Sequence, residues 1–157
     1  MIHTLHRLED GGLQSILLGD EPAGIRKMFS FYRPLKSVMD RGSVLFADGL
    51  CDSLHPLLTK NIILAFLNPE INTNHAQLIM TSHDVWQIYN NYLRRDEIWL
   101  TDKDKEGVST LYSLAEFKVR DEERHGRVMA ESYLVGNYGG IPALKPMDMM
   151  GTGGRTS

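Results

Sequence analysis

An α/β fold, a mostly parallel sheet flanked by helices and preceded by an N-terminal β-hairpin, follows from three features of the 157-residue sequence. Two apolar runs with polar ends, "SVLFAD" (43–48) and "AQLIMTSHD" (76–84), alternate with segments of helical periodicity. A stretch with apolar residues at three- and four-residue steps precedes the first run. Asp10, Gly11 and Gly12 stand between two short apolar runs near the start. A strand–helix–strand–helix–strand order implies right-handed crossovers and parallel pairing. Ligands of such sheets sit at the carboxyl ends of the strands.

The elements follow in order. Asp10-Gly11-Gly12 supplies the positive φ angles of a tight turn, so strands are expected near 2–8 and 13–18. In 21–42, Ile25, Met28, Phe29, Tyr32, Leu35 and Met39 fall on one helix face. Pro22 suits the first turn and Gly42 the exit, while Pro34 should kink or interrupt the helix. "SVLFAD" reads as a buried parallel strand. A helix follows with Asp52 or Ser53 as N-cap, and it should stop at "NPE", since the residue before proline avoids helical angles. "AQLIMTSHD" is the second strand, "DVWQIYNNYL" a helix, and "EIWLTDK" (97–103) a third buried strand. "DKDKEG" is a charged turn leading to an edge strand in "VSTLYSL", and "RDEERHGR" (120–127) is a short helix or solvated loop. Trp86 and Trp99 fall in apolar patterns and read as core. Residues 1–145 make one domain and 146–157, rich in Met and Gly, a disordered tail.

Composition narrows the function. Hydrophobic residues make up 42% and charged residues 24%, as in ordinary globular domains. A net charge of -3 gives no broad attraction to nucleic acid or anionic lipid. The single cysteine, Cys51, excludes an intrachain disulfide and fits a cytoplasmic location. No run approaches the roughly 18 apolar residues of a membrane span, and the first residues hold no signal-peptide core, so no membrane partner is expected. The six histidines include no HxH or HExxH spacing that would point to zinc. "LRRD" offers only two adjacent arginines, so direct contact with nucleic acid is not expected, and Arg94 and Arg95 should pair with Asp96 or Glu97.

Two strand ends carry candidate chemistry. Asp48 after "VLFA" reads either as a turn cap or as a ligand for hydrated Mg²⁺, a hard cation that keeps most of its water shell. His83 after "LIMTS" reads either as a surface histidine or as a donor to a terminal phosphate. The pair, at the ends of successive strands, says more than either residue. His55, before Pro56, reads as a helix-start residue, and Cys51 as a passive thiol.

The blocks "VLFADGLCDSLHPLLT", "NPEINTNHAQLIMTSHD", "LRRDEIWLTDKDKEGVSTLYSL" and "YLVGNYGGIPAL" together resemble the AAA-type ATPases with ABC-like cores of bacterial abortive-infection and defence loci. The resemblance spans about residues 2–144 and implies part of a P-loop NTPase (ABC-like) fold, without its Walker A strand. It likens Asp48 to the Walker B aspartate and metal ligand, and His83 to the switch histidine. It likens "EPAGIRK" to the signature segment, and 51–54 to the D-loop. Nucleotide contacts are then implied for Gly24, Asp48, Ser53 and His83. ATP and Mg²⁺ are the implied cofactors, and a head-to-tail dimer the implied assembly.

The sequence also departs from the family. Gly49 stands at the position of the catalytic glutamate, Pro22 at that of the signature serine, and Cys51 at that of the D-loop aspartate. No GxxxxGK[ST] occurs. The implied picture is a C-terminal ATPase lobe that does not hydrolyse ATP alone. It would bind ATP and Mg²⁺ only with a separately encoded N-terminal half supplying Walker A. The alternative is a non-catalytic interaction module that forms a homodimer or pairs with such a half.

Overall fold

The computed structural model describes residues 1–118 and 126–142. The expected tail at 146–157 and most of the 120–127 segment lie outside those residues. The chain divides into two units, Met1–Gln87 and Ile88–Ser157. The architecture is mixed α/β, with three two-stranded sheets among the described residues, one parallel and two antiparallel. The expected mostly parallel sheet is therefore a single parallel pair.

The first unit opens with the expected hairpin, β1 (His3–Arg7) antiparallel to β2 (Leu13–Leu17), with Gly11 at φ +83° in the turn. Helix α1 (Ala23–Arg41) begins after Pro22 and ends on Gly42, whose φ of 66° lets its N–H reach the Val38 carbonyl at 2.9 Å. Pro34 does not interrupt α1. Ser30 and Pro34 are both exposed, so the carbonyl that loses its proline partner is open to water. The buried stripe is also displaced from the expected one. Met28, Phe31 and Leu35 pack on the core, while Ile25, Phe29 and Tyr32 are exposed. Two overlapping apolar stripes run along this helix, and periodicity alone does not choose between them.

Strand β3 (Val44–Ala47) and strand β4 (Gln77–Met80) pair in parallel, Ala47 opposite Met80, across helix α2 (Pro56–Leu67). The N-cap of α2 is His55, not Asp52 or Ser53. Its Nδ1 accepts from the Leu57 N–H at 3.3 Å, and Pro56 takes the position where no N–H is needed. The helix stops at Leu67, before Asn68-Pro69 as expected. Asn72 then shapes the approach to β4: its amide donates to the Phe66 and Ala76 carbonyls, 2.8 Å each, and its oxygen accepts the Ala76 N–H at 2.7 Å. Asn74 caps the other helix, donating to the Met39 and Asp40 carbonyls of α1.

Ala47, Leu50, Leu54 and Ile62 form the core of this unit. Leu45 and Ala47 are buried, but Val44 and Phe46 are exposed, so β3 is covered on one face only. Among the described residues no further strand joins the pair. The expectation of a fully buried strand fails because nothing among the described residues packs over the face that carries Val44 and Phe46.

Of the helix expected in "DVWQIYNNYL", the single turn α3 (Trp86–Tyr89) forms. In the second unit, β5 (Trp99–Lys103) and β6 (Ser109–Ser113) make an antiparallel hairpin over the charged turn at Asp104–Gly107. β5 is not a third buried strand: its pattern is exposed except at Leu100. Trp99 is exposed, as is Trp86, against the expectation of core. Helix α4 (Gly126–Leu134) contributes Met129 and Ala130 to the buried set that also holds Leu114 and Tyr138. Arg94 pairs with Asp96 and Glu97 at 2.9 and 3.1 Å, as expected, whereas Arg95 donates to the Leu114 and Phe117 carbonyls. No helix among the described residues is long and apolar enough to cross a membrane.

Candidate functional site at the carboxyl rim of the parallel strands

Parallel pairing carries β3 and β4 to the same end, and the ladder runs one step past both strands through the Thr81 N–H to the Ala47 carbonyl at 3.1 Å. Asp48 and Thr81 therefore leave the sheet side by side. The Thr81 hydroxyl donates to Asp48 Oδ1 at 2.5 Å and accepts from the Gly49 N–H at 2.8 Å. Two residues further on, His83 Nδ1 lies 3.5 Å from Asp52 Oδ1. Asp48 and His83 thus share one rim, each tied to a different neighbour.

The turn after Asp48 explains Gly49 locally. Its φ is +57°, a left-handed angle that glycine takes at low cost. The Asp52 N–H closes the turn onto the Gly49 carbonyl at 3.0 Å, and the Asp52 carboxylate fills the space a Cβ on Gly49 would need. Lys27, from α1, donates to the same Gly49 carbonyl. Behind the turn, Leu50 is 1% exposed and anchors it in the core. Cys51 Sγ accepts from Ser82 Oγ at 3.1 Å and from the Gln87 amide at 3.6 Å. Asp84 completes the rim, accepting from the Trp86 N–H at 2.9 Å at the start of α3.

No family model, curated protein or solved structure matches this chain. The rim is therefore read on its own chemistry. Asp48 is an exposed carboxylate, and the His83 side chain is 83% exposed. Both can reach a ligand from solvent, and the exposed His83–Asp52 pair adds little to stability. Among the described residues no cluster of three His, Cys, Asp or Glu side chains could cage a metal. The donor set at Asp48 is one carboxylate beside a hydroxyl. That suits Mg²⁺ sharing its shell with water and phosphate oxygens, and does not suit a cation held by protein alone.

The remaining expected residues lie close by. Gly24, in the first turn of α1, faces the Ser53 carbonyl so closely that a Cβ there would meet it at 2.8 Å. Ser53 is exposed and itself has φ +63°. The segment likened to a signature and the loop likened to a D-loop therefore touch within one chain.

The sequence placed Asp52 as an N-cap candidate and within the segment likened to a D-loop, and Lys27 within the segment likened to a signature, but it gave neither of them, nor Thr81, its hydrogen bond at this turn. Thr81 could have been found by counting register: if Asp48 ends one parallel strand, the residue after the last apolar position of the next is its neighbour. Asp52 carried a weaker signal, an acid three residues after a glycine in a turn. Lys27 closes the segment likened to a signature, but nothing local shows that it reaches the Gly49 carbonyl from α1.

Proposed function

We propose that this chain is the C-terminal lobe of an ABC-class ATPase domain, of the kind found in bacterial defence systems. Its carboxyl rim meets a Mg²⁺-bound nucleotide whose phosphates are cradled by a Walker A segment that is not among these 157 residues. One observation carries the reading: Asp48 and His83 stand at the carboxyl ends of neighbouring parallel strands. Asp48 would hold the hydrated cation, and His83 would donate to a terminal phosphate oxygen. Hydrolysis is not expected of this chain. Glycine has no group to orient or deprotonate water, and loss of a general base costs about 10²–10⁴-fold. The open face of the parallel pair, with Val44, Phe46 and Ile79 exposed, fits a partner that adds strands and covers them.

The test is binding of a Mg²⁺–ATP analogue by calorimetry, to the chain alone and co-purified with the product of the neighbouring upstream reading frame. Weak or absent binding alone and micromolar binding by the complex is expected, lost in Asp48→Ala. A stable complex that binds no analogue would overturn the nucleotide reading. The same exposed face favours a second reading, a non-catalytic module that pairs through it. In that case Phe46→Lys abolishes co-purification while no preparation binds nucleotide.

A further inference from the structure

We propose that Glu21 is a latch through which the N-terminal hairpin holds the rim loop, residues 48–54, closed. The inference rests on the geometry of the first unit and needs no nucleotide. The Glu21 side chain is 2% exposed, and its Oε1 accepts from the Thr4 hydroxyl and from His6 Nε2, the latter at 2.5 Å. Thr4 and His6 alternate along β1 and share its half-buried face, while His3, Leu5 and Arg7 are exposed. The carboxylate is therefore held in a buried place by two donors from one strand.

From Glu21 the contacts run on without a gap. Pro22 follows directly and caps α1. The first turns of α1 then reach the rim loop twice, through Lys27 on the Gly49 carbonyl and through Gly24 against the Ser53 carbonyl. Cys51 lies between those two carbonyls in sequence. A buried carboxylate stripped of its donors is costly, more so than a neutral group. Once Thr4 and His6 let go, Glu21 is driven toward water, and the start of α1 moves with it. The loop then loses the helix side of its support and keeps Thr81, Ser82, His83 and Gln87 on the other, with Leu50 and Leu54 in the core.

Cys51 is the sole cysteine and is half-buried, so its rate of labelling by a thiol reagent reports loop opening in the full chain. Thr4→Val combined with His6→Leu removes both donors and should speed labelling about tenfold. His6→Gln keeps an N–H donor and should stay within about twofold of the parent. Lys27→Met should speed labelling by itself while leaving amide exchange in the hairpin unchanged. Adding the hairpin substitutions to it should then give less than the product of the two effects. Should the double hairpin variant lose its helical circular dichroism, Thr4→Val alone carries the test, with about a threefold rise. Labelling unchanged while hairpin exchange rises, or effects that multiply fully with Lys27→Met, would overturn the latch.

Discussion

The parallel pair β3–β4 and the antiparallel pair β5–β6 are nearly the same size, yet only one gathers chemistry. The hairpin β5–β6 pairs residues close in sequence, Lys103 with Ser109 next to the turn, and its end is a charged turn closed by Asp104 and Gly107. The parallel pair joins segments separated by a whole helix. It brings Asp48 beside Thr81, 33 residues away, and sends both chains out at the same end. A crossover collects side chains that no local motif could hold together. Its cost is dependence on non-local register.

The largest effects should come from the buried leucines behind each region. Leu50 and Leu114 are 1% and 0% exposed, and either leucine-to-alanine change should cost about 2–5 kcal/mol in denaturant unfolding. What should differ is reach. Leu50→Ala should raise amide exchange in two distant segments, 44–54 and 77–83. Leu114→Ala should raise it in one contiguous stretch around 98–117. Equal and contiguous patterns in both would erase the distinction.

Next come the turn glycines. Gly49→Ala should cost about 1–3 kcal/mol, because the left-handed angle is compounded by the Asp52 carboxylate in the way. Gly107→Ala, at φ +86° with only a lysine methylene nearby, should cost about 1 kcal/mol. Combining Gly49→Ala with Asp52→Ala should recover part of the loss, and strict additivity would show that Asp52 does not shape the turn. The same crowding predicts that Gly49→Glu restores no hydrolysis to a partnered complex. Smaller still, Thr81→Val removes the two hydrogen bonds of the Thr81 hydroxyl, leaves the Thr81 N–H on the Ala47 carbonyl, and should cost about 1–2 kcal/mol. Its counterpart Tyr112→Phe removes the single bond to the Tyr138 carbonyl and should cost about 0.5–1.5 kcal/mol.

How much was legible in the sequence follows the same division. Local signals worked: Asp10-Gly11-Gly12 marked the first hairpin, Gly42 the end of α1, and Asn68-Pro69 the end of α2. The alternation of apolar runs and helices gave β3, α2 and β4, and with them the shared rim of Asp48 and His83. What failed depended on neighbours. "EIWLTDK" reads as a buried strand, but burial requires flanking strands, and its actual partner is the next strand in a hairpin. Trp86 and Trp99 read as core because their apolarity says nothing about whether a face is covered. The rim contacts of Thr81 and Asp52 were missed because each residue owes its role there to a side chain in another turn or strand.

The mildest perturbation is a proton, and it should separate the two antiparallel hairpins by sign. The β1–β2 hairpin is tied by an ionised group. Hydrogen bonds from Thr4 and then His6 hold the Glu21 carboxyl below its ordinary value. Its contribution is present above the unfolded carboxyl range near pH 4.3, and disappears as pH falls through the lowered folded value. The β5–β6 hairpin is tied by a neutral phenol. Burial first, and then the nearby Asp102 charge, push Tyr112 above its ordinary value near 10. Its contribution is complete below pH 10 and is lost as pH rises through the raised folded value, because the folded state keeps the proton longer. Amide exchange protection followed along the pH scale should therefore loosen 3–17 at the acid end and 99–113 at the alkaline end. Glu21→Gln should flatten the first response and leave the second, and Tyr112→Phe should do the reverse. Loosening of both hairpins at the same end in the parent chain would mean that a global titration, and not these two ties, sets the pH response.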